Sequence, residues 1–221
     1  MRVSVAAVVA ALAHGAHAAS TGPAAEARPP SGDGFSRPEL AAADHRRLLA
    51  GQPVVREDTV ETATGRYVGG VTYLLVDAPV DAIASVLDNV RAYPHILPYT
   101  RAAAWIGLSR SGDALVELEQ GNALAQGRYT IRVHREQAGP HAQTFRFWLD
   151  PRFSHDIADA SGFFQMEPIG QERTLLTYMV LVDLGPGLIR ALFEDRVRRV
   201  MLSTPLLVRG YVEARRPAAA R

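Results

Sequence analysis

Few side chains in this chain are placed to carry acid–base chemistry, and His95 is the strongest candidate among them. A histidine can act as a base or orient a polar headgroup near neutral pH. The alternative is an exposed or locally capped histidine without such a role. Tyr99 and Arg101 follow closely and could hydrogen-bond a carbonyl or an anionic head, but both equally suit the solvated start of a strand. The sequence therefore supplies no assured catalytic residue, and His95 is only a candidate.

The remaining histidines and motifs indicate no reaction centre. His155 and Asp156 are neighbours in a predicted loop, which gives no geometric support for a catalytic dyad. His134 and His141 fall on a solvated strand phase or in a turn. No H-E-x-x-H, metal-ligand cluster or G-x-S-x-G motif occurs, which disfavours zinc and serine hydrolysis. We expect no bound metal and no cofactor.

The residue types that the chain lacks exclude further chemistry. It has no cysteine, so disulfides, thiol nucleophiles and Cys-ligated metals cannot contribute. All 24 basic residues are arginines, which excludes Schiff-base chemistry on a lysine. One of these arginines lies in the predicted leader, so the remaining arginines balance the 23 acids. A formally neutral chain argues against a nucleic-acid partner.

The N-terminal residues are typical of a targeting segment followed by a linker. Arg2, the apolar run over 3–13 and an A-x-A pattern fit a secretory signal peptide cut after Ala18, which predicts a periplasmic or secreted protein. An uncleaved anchor is the alternative, although the run is shorter than the roughly 20 residues that span a bilayer. Residues 19–35 are rich in Ala, Pro, Gly and Ser and predict a flexible linker.

A helix and a strand are predicted within an N-terminal extension over 36–66. Ser36 and Glu39 have the spacing of a capping box, which predicts a short amphipathic helix, and a strand follows over 52–60. The main domain is expected over 67–216. Since apolar residues make up 48% of the chain, this length can fill one core.

The stretch over 77–98 is the most informative part of the chain. Pro79 has a fixed φ and no amide hydrogen, so it suits the first position of a helix. This helix is predicted to bury one apolar side, made of Val80, Ile83, Ala84, Leu87 and Val90. Tyr93 and Pro94 restrict the backbone next, and a second helical turn is predicted to end at Leu97.

After this pair of helices the sequence predicts successive strands separated by turns, as in an antiparallel meander. One strand over 67–76 precedes the helices, and the later strands are 102–109, 114–120, 126–136, 143–150, 161–167 and 173–184. Alternation is clear where Ile131 and Val133 alternate with Arg132 and His134. One face of the sheet is therefore predicted to be apolar and the other solvated.

The last element is predicted to be one long amphipathic helix. Its apolar stripe consists of Ile189, Phe193, Val197, Val200, Thr204, Val208 and Tyr211. Pro205 removes a backbone hydrogen bond and should kink or divide the helix near Met201. Residues 188–216 contain seven arginines and only three acids. This excess of positive charge suits either weak contact with an anionic membrane surface or a solvated outer face of the helix.

This order of elements resembles the helix-grip arrangement of the START-like superfamily. The opening motif is similar to that of the polyketide cyclase/dehydrase and coenzyme Q-binding branch, with its positions at Pro79, Asp88-Asn89, Tyr93-Pro94 and Leu97-Pro98. The resemblance implies an α+β fold in which a curved antiparallel sheet of six to seven strands surrounds a long C-terminal helix. Ala84, Val90 and Ile96 replace bulkier residues of relatives, which leaves room near a cavity mouth or is matched by larger groups opposite.

The resemblance also implies a deep apolar cavity that binds, and could transport, a hydrophobic small molecule such as a lipid, quinone or polyketide. The residues expected on its wall are Trp105, Val116, Leu118, Tyr129, Ile131, Phe145, Phe147, Phe164, Met166, Tyr178, Phe193, Val197 and Met201. Each of them also fits ordinary core packing. Two alternatives remain open. One is a cyclase, dehydratase or hydrolase that uses the cavity, with His95 and a cavity tyrosine or arginine as the acid–base groups, and the other is an accessory protein that binds a polypeptide in its groove.

Overall fold

The structure is a computed structural model that describes residues 40–63, 65–121, 126–185 and 188–215, without the side chains of 188–193. The predicted leader, linker and capping box therefore lie outside the described residues. The helices are α1 (Ala42–Leu49), α2 (Val80–Asp88), α3 (Tyr93–Ile96), α4 (Leu188–Leu202) and α5 (Thr204–Glu213), with a 3-10 turn at Val90–Ala92. The strands are β1 (Val54–Glu61), β2 (Arg66–Val76), β3 (Thr100–Leu108), β4 (Ala114–Gly121), β5 (Gln126–Gln137), β6 (Gln143–Leu149), β7 (Asp159–Pro168) and β8 (Thr174–Asp183).

All of these strands belong to one antiparallel sheet in the order β1-β2-β8-β7-β6-β5-β4-β3. The sheet has eight strands in the described part of the chain, which corrects the expected six to seven. The difference arises because β1 pairs with β2 along its whole length, from Val54 opposite Tyr73 to Glu61 opposite Arg66. The strand of the N-terminal extension is therefore an edge of the same sheet.

The predicted pair of short helices is present between β2 and β3. Val80, Ile83 and Leu87 are buried on one side of α2, as their spacing predicts. The chain then turns through the 3-10 turn into α3. The Tyr93 hydroxyl donates a hydrogen bond to the Leu87 carbonyl oxygen at 2.9 Å, which holds α3 against the end of α2. Both helices thus cover one part of the concave face of the sheet.

The C-terminal helix is divided, as Pro205 predicts. α4 ends at Leu202 and α5 begins at Thr204, because a proline in the first turn of α5 cannot continue the hydrogen-bond ladder of α4. Side chains replace part of that ladder at the break. The Ser203 hydroxyl donates to the Val200 carbonyl oxygen at 2.6 Å, and the Thr204 hydroxyl donates to the Met201 carbonyl oxygen at 2.7 Å.

The convex face of the sheet is not wholly solvated, which corrects the prediction from strand alternation. Leu175 and Met179 of β8 pack there with Val71 and Tyr73 of β2, and α1 covers them with Leu48. The reason lies in β8, whose residues are apolar on both faces and are buried along nearly the whole strand. The fold therefore has a second, smaller core under α1.

A buried ionic cluster accounts for a second part of the convex face. Arg132 was predicted on the solvated phase, but only 1% of its side chain is exposed. Its Nε atom donates to Asp150 Oδ2 at 2.9 Å, and Arg152 donates to the same carboxylate at 2.6 Å. Asp113 lies 3.6 Å from Arg132 and accepts hydrogen bonds from Ser109 and Ser111. The buried charges are thus paired, which a buried arginine requires.

We expect acid to destabilise the fold through this cluster. Burial alone would raise the pKa of the Asp150 carboxyl, but hydrogen bonds from Arg152 and Arg132 outweigh it and hold that pKa below its usual range. The stabilisation that the ionised Asp150 carboxylate contributes is therefore complete above the unfolded-state pKa of an aspartate, about 3.9. It is lost as the pH falls through the lower folded-state pKa of Asp150. Urea unfolding from neutral pH to about pH 3 should show a falling free energy of unfolding. The decline should be shallower in Asp150→Asn, and an equal decline in both proteins would contradict the assignment.

Candidate functional site

A cavity of about 240 Å³ lies between the concave face of the sheet and α4. Its wall is made almost entirely of apolar and aromatic side chains. The ends of β4 and β8 and the starts of β5 and β7 meet at one side of this cavity, because adjacent strands are antiparallel. Gly121, Gly127, Ala160 and Val182 line the cavity there. We call this side the mouth.

Aromatic rings on β6, β7 and β8 form the floor of the cavity. The rings of Phe164 and Tyr178 have centroids 4.5 Å apart, and Phe147 lies 6.0 Å from Phe164 and 6.3 Å from Tyr178. Gly162 makes room for this packing. A Cβ atom at that position would lie 2.4 Å from Phe147 Cζ and 2.2 Å from the Met179 carbonyl oxygen, so a side chain cannot be accommodated without movement.

One face of α4 supplies the roof. Its lining residues follow helical spacing and are Arg196, Val197, Val200, Met201 and Thr204, the last at the start of α5. The face is apolar in the middle and carries a cation at its first position. The positions that face the cavity are therefore set by the period of the helix and by the break after Leu202.

Polar groups in the wall are hydrogen-bonded to one another. Gln120 accepts from the Tyr129 hydroxyl at 2.5 Å and donates to the Thr100 hydroxyl at 2.9 Å. The Tyr178 hydroxyl forms a hydrogen bond with Thr204. Burial raises the pKa of both Tyr129 and Tyr178, so both phenols stay neutral at physiological pH. The wall can offer hydroxyl groups to a ligand, but these phenols are poor bases.

Tyr99 stands at the mouth with 48% of its surface exposed. Its φ of 57° lies in the left-handed region, which is uncommon for a bulky residue and costs about 1 kcal/mol or more. The Tyr99 carbonyl oxygen accepts a hydrogen bond from the Gly121 amide at 2.9 Å, which ties this conformation to the end of β4. Leu97 and Pro98 complete this part of the mouth.

The structure brings together most of the predicted wall residues. Those that line the cavity are Leu118, Tyr129, Ile131, Phe145, Phe147, Phe164, Tyr178, Val197 and Met201. Val116 and Met166 are buried in the adjoining core but are not among the lining residues. The side chain of Phe193 lies outside the described part of the structure.

Trp105 was predicted on the wall, and the structure places it elsewhere. Its side chain is 59% exposed on β3, which is an edge strand of the sheet. An edge strand has a neighbour on one side only, so a large side chain there has less cover. The pairing of β3 with β4 also shifts between Trp105 and Gly107. Strand alternation therefore does not predict the environment of this residue.

The sequence-predicted polar candidates lie mostly outside the cavity. His95 is exposed, and its ring stacks on Tyr211 with the centroids 5.5 Å apart. His155 Nδ1 lies 2.7 Å from the Ile157 carbonyl oxygen, whereas Asp156 accepts from the Arg128 amide. The neighbouring residues His155 and Asp156 therefore contact different partners. Arg101 is exposed on β3.

Several lining residues were not predicted, although the sequence contains a signal for some of them. Gln120 follows Leu118 by two positions on β4, so strand alternation points to it. Arg196 precedes Val197 and lies one turn before Val200, so it borders the predicted apolar stripe. Its charge argued for an outward position. The other lining residues missed are Leu87, Tyr93, Ile96, Leu97, Pro98, Gly121, Gly127, Val133, Ile157, Ala160, Val180, Val182, Leu184, Val200 and Thr204.

The chemistry available to the cavity is limited. Among the described residues that line it, there is no Asp, Glu or His. No group of three or more His, Asp or Glu side chains is arranged to hold a metal ion within the described ranges. In the same ranges, every helix is too short or too polar to cross a membrane. The arrangement can therefore enclose an apolar molecule and hydrogen-bond to it.

Comparison with known proteins identifies the fold. No protein-family model matches the chain, and no curated protein matches it. A STAR-related lipid transfer protein from Xanthomonas axonopodis superposes with a TM-score of 0.62 at 18% identity, covering 73% of this chain and 93% of that one. The Zhui aromatase/cyclase from a Streptomyces species gives 0.52 at 22% identity, covering 76% and 98%. Human STARD10 gives 0.55 at 9% identity, covering 79% and 80%. At identities this low, the similarity establishes the fold alone.

The aromatic floor should be sensitive to one added methyl group. Gly162→Ala places a Cβ against Phe147 and the Met179 backbone, so we expect a loss of about 1 to 3 kcal/mol in the free energy of unfolding. Gly210→Ala is the matched control, because nothing lies within 4 Å of a Cβ at that helical position. It should stabilise the protein by up to about 1 kcal/mol. Urea unfolding of both variants tests this, and similar effects at the two sites would contradict the packing described.

Proposed function

From the START-like helix-grip fold of this chain, we propose that the protein binds a hydrophobic small molecule in its cavity and carries it shielded from water. The ligand would belong to the lipids, quinones or polyketides. Two similar structures support this class, since one is a STAR-related lipid transfer protein and another is an aromatase/cyclase. The apolar lining of the cavity in this chain is a stronger argument than these similarities.

The observation that carries the proposal is a hollow of about 240 Å³ with apolar and aromatic walls and a mouth. Interiors are normally packed to the density of organic crystals, so the floor and roof lose contacts that a ligand would restore. Burying about 400 Å² of an apolar ligand would contribute on the order of 10 kcal/mol. Association costs consume part of this gain and leave enough for micromolar binding.

The same lining favours binding over catalysis. A cyclase, dehydratase or hydrolase needs an acid or base within hydrogen-bond reach of its substrate. The described lining residues include no Asp, Glu or His, and burial keeps Tyr129 and Tyr178 neutral. His95, the candidate base, is exposed, stacks on Tyr211 and is not a lining residue. The carrier function accordingly ranks above an enzymatic one.

Two further elements of the proposal concern where the protein works. The leader pattern predicts export, so we place the carrier in the periplasm or outside the cell. Contact with an anionic membrane through the C-terminal helices would aid loading. Arg198 contributes little to such contact, because its side chain is 12% exposed and pairs with Glu57 and Glu194.

The direct test is native mass spectrometry of the full chain, purified gently, followed by organic extraction. We expect a mass increment that disappears on extraction and an apolar compound in the extract. The extracted protein should then take up a compound of the same class from a lipid extract. A protein that stays empty after exposure to total lipid extracts would contradict the proposal.

A cavity-filling variant should separate binding from folding. Ala160 lines the cavity and is 6% exposed, so Ala160→Phe places a ring in the hollow and should reduce uptake of an apolar fluorescent probe at least tenfold. Ala104→Phe, at an exposed position on β3, is the control and should bind like wild type. Val200→Phe fills the hollow from α4 if Ala160→Phe is poorly folded. Undiminished binding in a folded, filled variant would place the ligand elsewhere.

A further inference from the structure

The orientation of the Gln120 amide determines where the hydrogen atoms lie at one corner of the cavity. Gln120 Nε2 donates to the Thr100 hydroxyl at 2.9 Å and lies 3.4 Å from the Pro98 carbonyl oxygen. A backbone carbonyl oxygen only accepts hydrogen bonds, so the amide atom that faces Pro98 is the nitrogen. The other amide atom, Oε1, therefore faces Tyr129.

The phenol of Tyr129 must then be the donor in its contact with Gln120. The Tyr129 hydroxyl oxygen and Gln120 Oε1 are 2.5 Å apart, and an amide oxygen carries no hydrogen of its own. Burial raises the pKa of Tyr129, so the phenol keeps this proton at physiological pH. Its oxygen still has lone pairs, and Tyr129 lines the cavity. Toward a ligand, this hydroxyl can accept a hydrogen bond but has no proton left to donate.

Tyr178 repeats this arrangement on β8. The Thr204 hydroxyl donates to the Met201 carbonyl oxygen at 2.7 Å, so the proton of Thr204 is already used. The hydrogen bond between Tyr178 and Thr204 therefore takes its proton from the phenol. The two phenols are near each other, since burial and, after it, Tyr178 raise the pKa of Tyr129. This part of the lining presents two hydroxyl oxygens whose protons are directed into the wall.

A pair of phenols in this state distinguishes between the polar groups of a ligand. A ligand carbonyl beside Tyr129 would meet lone pairs and receive no proton from that phenol. Burying a polar group without a partner costs more than a typical hydrogen bond contributes. A ligand hydroxyl can instead donate to the phenol oxygen, and it would extend an existing chain of hydrogen bonds, which strengthens each of them. The corner therefore favours donors over acceptors.

We propose that the ligand is an apolar molecule with a hydroxyl group, and that this hydroxyl donates a hydrogen bond to the phenol oxygen of Tyr129. The inference rests on the proposed function and narrows its ligand class. Among lipids, quinones and polyketides, it favours alcohols, quinols and hydroxylated polyketides. A quinone is disfavoured, because its oxygens only accept hydrogen bonds.

The experiment compares three ligands that share one flat carbon skeleton, which suits the aromatic floor of the cavity. Fluorenol carries a hydroxyl group, fluorenone carries a carbonyl group in its place, and fluorene carries neither. Each is titrated into the full chain after apolar compounds have been extracted, and displacement of a neutral apolar fluorescent probe gives its affinity. We expect fluorenol to bind at least about tenfold more tightly than fluorenone.

Variants at the corner test where the protons lie. Gln120→Leu removes the acceptor of the Tyr129 proton, so the phenol becomes a donor and fluorenone should bind several-fold more tightly than to wild type. Tyr129→Phe/Gln120→Leu removes both groups, so fluorenol and fluorenone should bind equally within about twofold. Tyr211→Phe is the matched control, because it removes a phenol oxygen that does not line the cavity. It should keep the preference of wild type, and circular dichroism verifies that each variant is folded.

The outcomes separate this inference from the carrier function. Equal binding of fluorenol and fluorenone to wild type, or tighter binding of fluorenone, would overturn the role of Tyr129 while the carrier function stands. A preference for fluorenol that survives in Tyr129→Phe/Gln120→Leu, or disappears in Tyr211→Phe, would also overturn it. Fluorenone that gains no affinity in folded Gln120→Leu would contradict the proton positions. If the probe and all three ligands fail to bind, the carrier function fails, and this inference with it.

Discussion

The C-terminal helices pack mainly against one side of the sheet, and the cavity depends on this off-centre packing. The Thr72 hydroxyl of β2 donates to the Leu202 carbonyl oxygen at 2.8 Å in a buried position, at the point where α4 ends. α4 and α5 make their main sheet contacts with β2 and β8, whereas α2 approaches β6 and β7. The concave residues of β4 to β7 between these supports therefore face the cavity.

The polar groups of the wall are compatible with an apolar cavity because they satisfy one another. Gln120 connects the hydroxyls of Thr100 and Tyr129, and Thr204 is paired with both Tyr178 and the Met201 carbonyl oxygen. An unpaired buried amide or hydroxyl would cost on the order of 1 to 3 kcal/mol. These bonds also fix the orientation of two aromatic rings. The wall is thus ordered by hydrogen bonds within the protein itself.

Much of the fold could be predicted from the sequence because its signals are local. Proline at position 79, the alternation along β5 and Pro205 each constrain a few neighbouring residues, and the elements they predict are present. The features that were missed depend on distant partners. Arg132 is buried because Asp150 meets it across the β5–β6 pair, and Trp105 is exposed because β3 has no second neighbour in the described sheet. Arg196 was missed for a similar reason, because its charge favoured the solvated side of α4 and only the packing of α4 on the sheet shows that it lines the cavity.

The free edge of β3 has a consequence for the protein at high concentration. Trp105, Ile106 and Leu108 are exposed there, and no strand of the described chain pairs with the outer side of β3. Such an edge combines unpaired backbone N–H and C=O groups with exposed apolar side chains, and this combination promotes the pairing of edge strands from different molecules. Charged residues and bulges on an edge strand normally suppress this association, and on β3 these features are Arg101 near its start and the register shifts along it. Association through that strand is therefore the route to aggregation that we expect when the protein is concentrated.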